Sequence, residues 1–167
     1  AYPDPAVTAV GYTALQALLQ TGGEAETVLP ALYRNGSGVL PSAAAVVEAV
    51  ADGSCYVGVT TEDLALRAAE SGRSVTVVYP AEGTVVQPDC AAVVRDCAHE
   101  DSARAFIDFL LSDEVQTRLA RQSRRAVRGS AAGGVLPQAL AYDADEAGSA
   151  LPELLALWDS LTAEEAA

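Results

Sequence analysis

The feature of this sequence that most restricts its fold is the alternation of apolar, β-rich runs with amphipathic helical stretches. The run SCYVGVT (54–60) leads directly into TEDLALRAAESG (61–72), and VTVVYP (75–80) follows. Neighbouring parallel strands need a crossover, usually a helix, so this order is typical of a parallel sheet. AEGTVVQP (81–88) is predicted to be a loop or crossover, and CAAVV (90–94) a further strand. The alternation predicts an α/β fold.

Apolar residues at helical spacing, with glycines or turns at the ends of the series, predict further helices. These helices cover residues 8–20, 24–33, 41–51, 100–111 and 149–161. Ser37 or Ser42 is expected to cap the third of them, and residues 129–134 to form a loop. The last helix has an apolar face made of Leu154, Leu157, Trp158 and Leu161.

The charge balance argues against several classes of partner. The chain has 167 residues, of which 23 are acidic and 10 are basic, all of the basic ones arginine, so its formal charge is −13. Such a chain does not attract phosphate backbones or anionic lipid. Half of the residues are apolar, which is enough to build a core, and no apolar run approaches the roughly 20 residues of a membrane span.

The charges are unevenly distributed near the end of the chain. Five arginines and no acid lie within residues 115–142, whereas seven acids and no base lie within residues 143–167. Pairing within the chain, or two solvated faces, is the simplest account. A nucleic-acid role for the arginines is disfavoured because the field of the whole chain opposes it.

The sequence contains few residues or motifs that are typical of an enzyme, a metal site or a cofactor site. The single histidine, His99, lies in a turn before a helix and is expected to be exposed rather than catalytic. Cys55, Cys90 and Cys97 match no zinc spacing and contain no CxxC, so they are interpreted as small buried thiols. No nucleotide-binding or hydrolase motif is present. We therefore expect no catalytic activity, no metal and no cofactor.

A pattern that points to ligand binding occurs three times. A turn rich in glycine, serine or threonine opens a helix at AVTAVGYT (6–13), NGSGVLPS (35–42) and GVTTED (58–63). Free backbone N–H groups and the positive end of the helix dipole make such places suited to phosphate or carboxylate groups. In open parallel sheets, ligands bind beyond the carboxyl ends of the strands. Three such turns predict a binding site for an anionic small molecule.

The ordered set of segments resembles the second half of an extracellular solute-binding protein of ABC transporters. The resemblance is to the type 2 periplasmic-binding-protein fold, in the branch of ferric-iron, phosphonate and sugar-phosphate binders. The segments that carry it are YPDPAVTAVGYTALQALLQ, NGSGVLPSAAAVVEAVADGSCYVGVTTEDLALRAAESGRSVTVVYPAEGTVVQPDCAAVV, HEDSARAFIDFLLSDEVQ and SRRAVR.

The resemblance implies a three-layer αβα lobe followed by the C-terminal part of the other lobe. Residues 1–80 would form the receptor's second lobe, 81–88 the hinge crossover, and 89–167 the C-terminal portion of the first lobe. The N-terminal half of the first lobe would be absent, which makes association with a second copy plausible. The implied protein is extracytoplasmic, periplasmic or anchored as a lipoprotein, and delivers its solute to a membrane permease.

Carried over by position, the resemblance implies a set of ligand-binding residues at the helix starts and the crossover. The residues are Thr8, Ala9, Gly11, Tyr12, Ser37, Gly38, Val39, Thr61, Glu62, Asp63, Glu82 and Thr84. The iron binders of this branch use adjacent tyrosines where this chain has Thr61, Glu62 and Asp63, which disfavours ferric iron. Carboxylates there accept hydrogen bonds from OH or NH groups, so a sugar phosphate or an aminophosphonate is favoured.

Two other functions remain open at this stage. The effector-sensing domain of a transcription regulator can share the same fold. A small hydrolase would use Glu62 or Asp63, although neighbouring acids at a helix start are also explained by the helix dipole.

Overall fold

The computed structural model describes residues 1–36, 38–129 and 137–164, and the chain divides into two compact units. Unit 1 comprises Ala1–Val86 and Pro137–Ala167, and unit 2 comprises Gln87–Leu136. The described residues form helices joined by extended segments and very short strands, so the fold is mixed α/β. The assignment of residues 1–80, 81–88 and 89–167 to receptor lobes and a hinge stays a prediction.

Unit 1 contains four two-residue strands and five helices among its described residues. The strands are β1 (Tyr2–Pro3), β2 (Val39–Leu40), β3 (Thr84–Val85) and β4 (Ala139–Leu140). The helices are α1 (Ala9–Gly22), α2 (Ala25–Asn35), α3 (Ala43–Ala51), α4 (Glu62–Glu70) and, in chain order after the two helices of unit 2, α7 (Ala144–Glu164). Those two are α5 (Glu100–Leu110) and α6 (Asp113–Ala120).

The strands pair in parallel. Tyr2 lies opposite Val39 in the β1–β2 pair, and β3 pairs with β4 in the same sense. On the other side of β1, the Ala1 nitrogen donates to the Val57 carbonyl (2.7 Å), and the Val59 N–H donates to the Ala1 carbonyl (3.0 Å). In a parallel pair, one residue of a strand bonds to two residues of the neighbouring strand that lie two positions apart. The extended segment 57–59 therefore continues the arrangement beside β1.

The three predicted strands are wrong as strands. Residues 54–60, 75–80 and 90–94 carry no strand assignment, and residues 90–94 are largely exposed. A β-rich composition makes a segment suited to a sheet, but a ladder also needs a neighbour for its N–H and C=O groups. Within the described ranges only residues 57–59 meet such a neighbour, at Ala1. Part of the predicted crossover, Thr84–Val85, is instead a strand.

The predicted helices are confirmed, with shifts at their ends. Ser42 caps α3, where its Oγ accepts from the Ala45 N–H (3.1 Å). Helix α7 begins at Ala144, five residues earlier than expected. Helix α6 was not predicted, although Ser112 caps it through the Val115 N–H (3.4 Å) and two acids occupy its first turn. Most of the predicted loop 129–134 lies outside the described residues.

An aromatic cluster forms the centre of unit 1. Trp158 of α7 is 2% exposed and meets Tyr2 and Tyr33 edge to face, with ring centroids 5.8 and 5.7 Å apart. Leu15 of α1 and Leu29 of α2 complete the buried cluster. The predicted apolar face of α7 is confirmed, since Leu154 is also buried and Leu157 and Leu161 pack against the cluster. Helix α7 thereby closes over the sheet and the first two helices.

Close backbone approach explains two glycines in unit 1. A Cβ on Gly11 would lie 2.3 Å from the Pro3 carbonyl oxygen and 2.7 Å from the Asp4 carbonyl group. A Cβ on Gly58 would lie 2.5 Å from Val46 Cγ1. Helices α1 and α3 can therefore pack against the extended segments only because these positions lack a side chain.

Unit 2 is organised around Gln116, a buried polar residue of α6. Its Nε2 donates to the Leu110 carbonyl (2.9 Å), and its Oε1 accepts from the Val127 N–H (2.8 Å). Both ends of the amide are used, so burying it leaves those groups satisfied. Gln116 thus ties the segment after α6 back to the end of α5.

The charged and sulfur-containing side chains partly match the sequence analysis. Arg118 pairs with Glu114 (3.4 Å) and Arg124 with Asp89 (2.6 Å), in keeping with pairing within the chain. His99 is exposed at the start of α5, as predicted. The interpretation of all three cysteines as buried holds for Cys55 only, because Cys90 is exposed and Cys97 half-buried. Within residues 1–36, 38–129 and 137–164, none of the helices combines the length and apolar character that a membrane crossing requires.

Replacing Gly11 by alanine is expected to destabilise the protein by about 1–3 kcal/mol, because the new methyl group overlaps the backbone of Pro3 and Asp4. Urea unfolding, followed by the fluorescence of Trp158, measures the change. Gly148→Ala is the matched control, since no atom lies within 4 Å of its added Cβ. Helix propensity predicts that the control gains about 0.5–1 kcal/mol. Equal effects of the two substitutions would contradict this account of the α1 contact.

The Tyr2 hydroxyl is expected to make stability fall at alkaline pH. Burial, with smaller contributions from Tyr33 and Asp4, raises the pKa of Tyr2 from 10.0 to about 12. The folded state keeps the proton up to a higher pH than the unfolded state does. This stabilisation is therefore complete below pH 10 and is lost as the pH rises through 12. The loss amounts to about 3 kcal/mol. The measurement is the free energy of unfolding between pH 9 and pH 12.

Tyr2→Phe should flatten that pH dependence, whereas Tyr56→Phe, at a residue 99% exposed, should leave it unchanged. Among the described residues the Tyr2 hydroxyl is buried without a hydrogen-bond partner. Removing it is therefore expected to raise stability at neutral pH by about 1 kcal/mol. A Tyr2→Phe protein that is less stable at pH 7 and equally sensitive to alkali would refute both expectations.

Candidate functional site

The carboxyl ends of β1, β2 and segment 57–59 lie at one edge of unit 1, because the three segments run parallel. We call this place the carboxyl edge. The chain leaves each segment there and enters a helix: α1 after β1, α3 after β2 and α4 after segment 57–59. The residues that form the carboxyl edge are Asp4, Thr8, Ala9, Val10, Ser42, Ala43, Ala44, Thr60, Thr61, Glu62 and Asp63.

Two hydrogen bonds hold the three turns of the carboxyl edge together. The Asp4 N–H donates to the Leu40 carbonyl (2.9 Å), which joins the ends of β1 and β2. The Thr60 hydroxyl donates to the Ala43 carbonyl (3.0 Å), which joins the end of segment 57–59 to the first turn of α3. The turns at the carboxyl edge are thus joined by one backbone hydrogen bond and one from a threonine side chain.

Thr8 shapes the start of α1. Its hydroxyl donates to the Asp4 carbonyl (2.7 Å) and accepts from the Gly11 N–H (3.0 Å). Across the described part of the chain, the N–H groups of Ala9 and Val10 donate to no residue. Ala9 is exposed. An anion that reaches this turn therefore meets unsatisfied donors and the positive end of the helix dipole.

The start of α3 has the same construction. Ser42 caps the Ala45 N–H, and the N–H groups of Ala43 and Ala44 have no acceptor in the parts of the chain that the structure describes. The first turn of α3 contains no acid. This turn adds a second set of donors at the same edge.

The start of α4 is chemically different, because it carries carboxylates. The Thr61 hydroxyl donates to Asp63 Oδ1 (2.7 Å), and Arg67 lies 3.6 Å from Asp63 Oδ2. Glu62 accepts a hydrogen bond from the hydroxyl of Tyr79. Acids in a first turn satisfy the helix dipole, and they also accept hydrogen bonds from OH or NH groups of a ligand.

Tyr12 and Gly11 have structural contacts that account for them. The Tyr12 hydroxyl donates to the Ala147 carbonyl of α7 (2.5 Å) and accepts from the Gln16 amide (2.8 Å). Burial raises the pKa of Tyr12, opposed in part by the bond from Gln16. Gly11 is buried against the end of β1. Tyr12 thus ties the start of α1 to α7, and Gly11 lets the start of α1 lie close to the end of β1.

The remaining predicted residues are not brought to the carboxyl edge. Gly38 accepts from the Tyr2 N–H (3.3 Å), and Val39 lies beside Tyr2, so both occupy the amino end of the β1–β2 pair. Thr84 donates its N–H to the Gln138 carbonyl (2.9 Å) within the β3–β4 pair, and Glu82 is exposed in the turn before it. Ser37 lies outside the described residues.

Sequence reasoning missed Asp4. Thr60 and Ser42 lie in two of the turns that predicted an anion site, but neither was named as a ligand-binding residue. Asp4 forms a turn in which its Oδ1 accepts from the Ala6 N–H (2.8 Å). The sequence held only a weak local signal: in YPDPAVT and GVTTED an acid or hydroxyl follows an aromatic or β-branched residue within two positions. That Thr60 reaches across to α3 depends on a contact between residues 17 positions apart, which no local pattern encodes.

The carboxyl edge suits a ligand that has both an anionic group and hydrogen-bond donors better than it suits a metal ion. Hydroxyls and backbone N–H groups dominate at α1 and α3, and carboxylates at α4. Over the described ranges, His, Cys, Asp and Glu side chains form no group of three or more that could hold a metal ion. A shallow depression of about 240 Å³ lies between α3 and α4, lined by Val47, Leu64 and the paired Glu48 and Arg73 among others. It contains none of the predicted site residues.

Comparison with known proteins gives two matches of different kinds. Residues 1–123 match the family model of the bacterial extracellular solute-binding proteins. A solved structure described as a two-component system protein that mediates signal transduction is similar over 80% of this chain, with 27% identity and a TM-score of 0.70. The chain spans 45% of that protein's length. No curated protein matches this chain.

The family match covers most of the chain, including both short strands of the β1–β2 pair and the starts of α1, α3 and α4. The helix starts at the carboxyl edge are also features from which the sequence predicted a small-molecule site. The chain belongs to the family of bacterial extracellular solute-binding proteins.

Proposed function

We propose that the carboxyl edge binds the anionic group of a small solute, and that the protein serves as the extracytoplasmic receptor of an ABC import system. The convergence of three helix starts at one edge carries this proposal. The N–H groups in the first turns of α1 and α3 receive the anionic group. Glu62 accepts hydrogen bonds from OH or NH groups elsewhere on the solute.

The arrangement favours a solute that combines both kinds of group. A phosphate or phosphonate suits the donors of Ala9, Val10 and Ala44, whereas the acids at the start of α4 repel a purely anionic ligand. An aminophosphonate or a sugar phosphate satisfies both ends. Glycine and serine turns without a histidine or tyrosine pair do not favour ferric iron.

Delivery to a membrane permease completes the proposed role. In this proposal the solute lies between the carboxyl edge and the receptor's other lobe, and closure at a hinge in residues 81–88 presents the closed form to the permease. The protein performs no chemistry on its solute. Anchoring as a lipoprotein is part of the same proposal.

A second candidate function is ligand sensing in signal transduction, the broader form of the effector-sensing role. The similar solved structure is described as a two-component system protein, which favours this candidate. The two roles use the same solute site and differ in the partner that the solute-loaded protein contacts. Crosslinking of the solute-loaded protein on cells, followed by identification of the captured partner, separates them: a transporter permease supports import and a sensor kinase supports signalling.

A thermal-shift panel tests the solute proposal. The panel contains sugar phosphates, phosphonates, organic acids, polyamines and ferric complexes. A ligand at one hundred times its dissociation constant stabilises the native state by about 2.7 kcal/mol, which is a rise of several degrees in Tm. We expect the rise with phosphonates or sugar phosphates. Stabilisation by polyamines or ferric complexes alone would contradict the proposed chemistry, and no stabilisation by any member would contradict solute binding itself.

The Ala9→Asp substitution locates the site. An aspartate in the first turn of α1 favours the helix dipole, so the fold is retained, but its charge repels an anion at this turn. We expect affinity for the anionic solute to fall by about ten-fold or more. Thr27→Asp is the matched control, because it adds the same charge to the first turn of α2. Helix α1 is 14 residues long, about 21 Å, so α2 begins far from the carboxyl edge.

Titration of both variants by calorimetry gives the comparison. Selective weakening by Ala9→Asp supports a site at the carboxyl edge. Equal weakening by Ala9→Asp and Thr27→Asp would show that overall charge, and not this site, governs affinity.

A further inference from the structure

We propose that the hydrogen bond from Tyr79 to Glu62 is a latch that solute binding opens, and that it links the carboxyl edge to the segment entering the crossover at residues 81–88. This inference rests on the proposed function, because it assigns the regulation of that same site. Tyr79 acts through Glu62 and is therefore a positioning residue. Sequence reasoning assigned Tyr79 only to a strand.

The latch joins two places that lie 17 residues apart. Glu62 is the first residue of α4 and is half-buried at the carboxyl edge. The Tyr79 hydroxyl donates to its Oε1. A hydroxyl bound to a carboxylate is a charge-assisted hydrogen bond, which is stronger than one between neutral groups. The ring of Tyr79 stays 43% exposed, so the hydroxyl can leave without opening the core.

The segment that Tyr79 belongs to has few other attachments. It leaves α4 at Gly72, and Arg73 then pairs with Glu48 of α3 (2.6 Å). Between these points and Tyr79, residues 76–78 make no backbone hydrogen bond to any described strand, and Val78 is 82% exposed. The Arg73–Glu48 pair and the Tyr79–Glu62 bond are thus two contacts that lie near the two ends of the segment.

The far end of the segment leads directly into the predicted crossover. Pro80 follows Tyr79, and its carbonyl accepts from the Gly83 N–H (3.2 Å) in a turn where Gly83 has φ +119°. Strand β3 begins at the next residue. A change at Tyr79 is therefore transmitted over only a few residues to the start of this strand.

Competition for one carboxylate supplies the coupling. A solute that donates an OH or NH group to Glu62 Oε1 competes with the Tyr79 hydroxyl for that oxygen. Displacing Tyr79 removes the bond that joins this end of the segment to Glu62. Solute binding thus makes the entrance to the crossover more mobile, and the bond to Tyr79 lowers the apparent affinity for the solute.

Hydrogen exchange tests the latch without any solute. In Tyr79→Phe, the hydrogen-bonded amides of Val75, Gly83 and Thr84 are expected to exchange several-fold faster than in the unsubstituted protein, while the amides of α3 keep their rates. Tyr56→Phe removes the same hydroxyl from a residue that is 99% exposed and should change neither region. Glu62→Gln keeps an amide oxygen as acceptor and should give an intermediate rate. Unchanged exchange in Tyr79→Phe would overturn the proposal.

A titration with 2-aminoethylphosphonate tests the coupling. The phosphonate suits the starts of α1 and α3, and the ammonium group is a donor for Glu62. We expect binding to speed exchange of the amides of Val75, Gly83 and Thr84 in the unsubstituted protein, and Tyr79→Phe to bind the probe several-fold more tightly. Binding that Ala9→Asp weakens but Tyr79→Phe leaves unchanged would overturn the latch while the proposed function stands. Binding by no member of the thermal-shift panel would overturn both.

Discussion

The packing of Trp158 between Tyr2 and Tyr33 is the contact on which the rest of unit 1 depends. Edge-to-face aromatic pairs contribute about 0.5–1.5 kcal/mol each beyond the burial of their area. Here the two pairs bring together β1, α2 and α7, which are far apart in the sequence. Since β1 contains only two residues, its backbone hydrogen bonds alone could not hold it in place. Burial of Tyr2 under α7 fixes β1, and β1 sets the position of the carboxyl edge.

The carboxyl edge follows from that constraint through backbone contacts. Once β1 is fixed, Gly11 lets α1 approach its end, and the Asp4 and Thr60 hydrogen bonds align the starts of α3 and α4. A site built on backbone N–H groups and helix starts needs few distinctive side chains. This explains why a search for catalytic motifs found nothing while the family match extends over residues 1–123. In the proposed function, the helix dipoles and the acids of α4 select the solute.

The sequence predicted the helices far better than the strands. Helix α3 was predicted from Ser42, from its series of alanines and valines, and from Asp52 followed by Gly53, all of which are local signals. Residues 54–60 and 75–80 are rich in valine, threonine and tyrosine, which favour strands, yet neither segment is a strand. A ladder requires a partner strand, which composition does not supply. Of the predicted site residues, Thr8 and Glu62 reached the carboxyl edge through helix-start signals. Gly38 and Thr84 did not, since position in a resemblance does not fix which end of a strand a residue occupies.

The sequence by itself determined the class of fold, the helix starts and the acidic character of the protein, because caps, glycine stops and charge are properties of neighbouring residues. It also determined the family, through an ordered series of segments. Only the tertiary structure decided which turns share an edge, that Tyr12 supports α7, and that Tyr79 reaches Glu62. These contacts join residues separated by 17 to 135 positions. Such pairs meet because burying Trp158 and its neighbours folds the chain back on itself, and no local pattern encodes that closure.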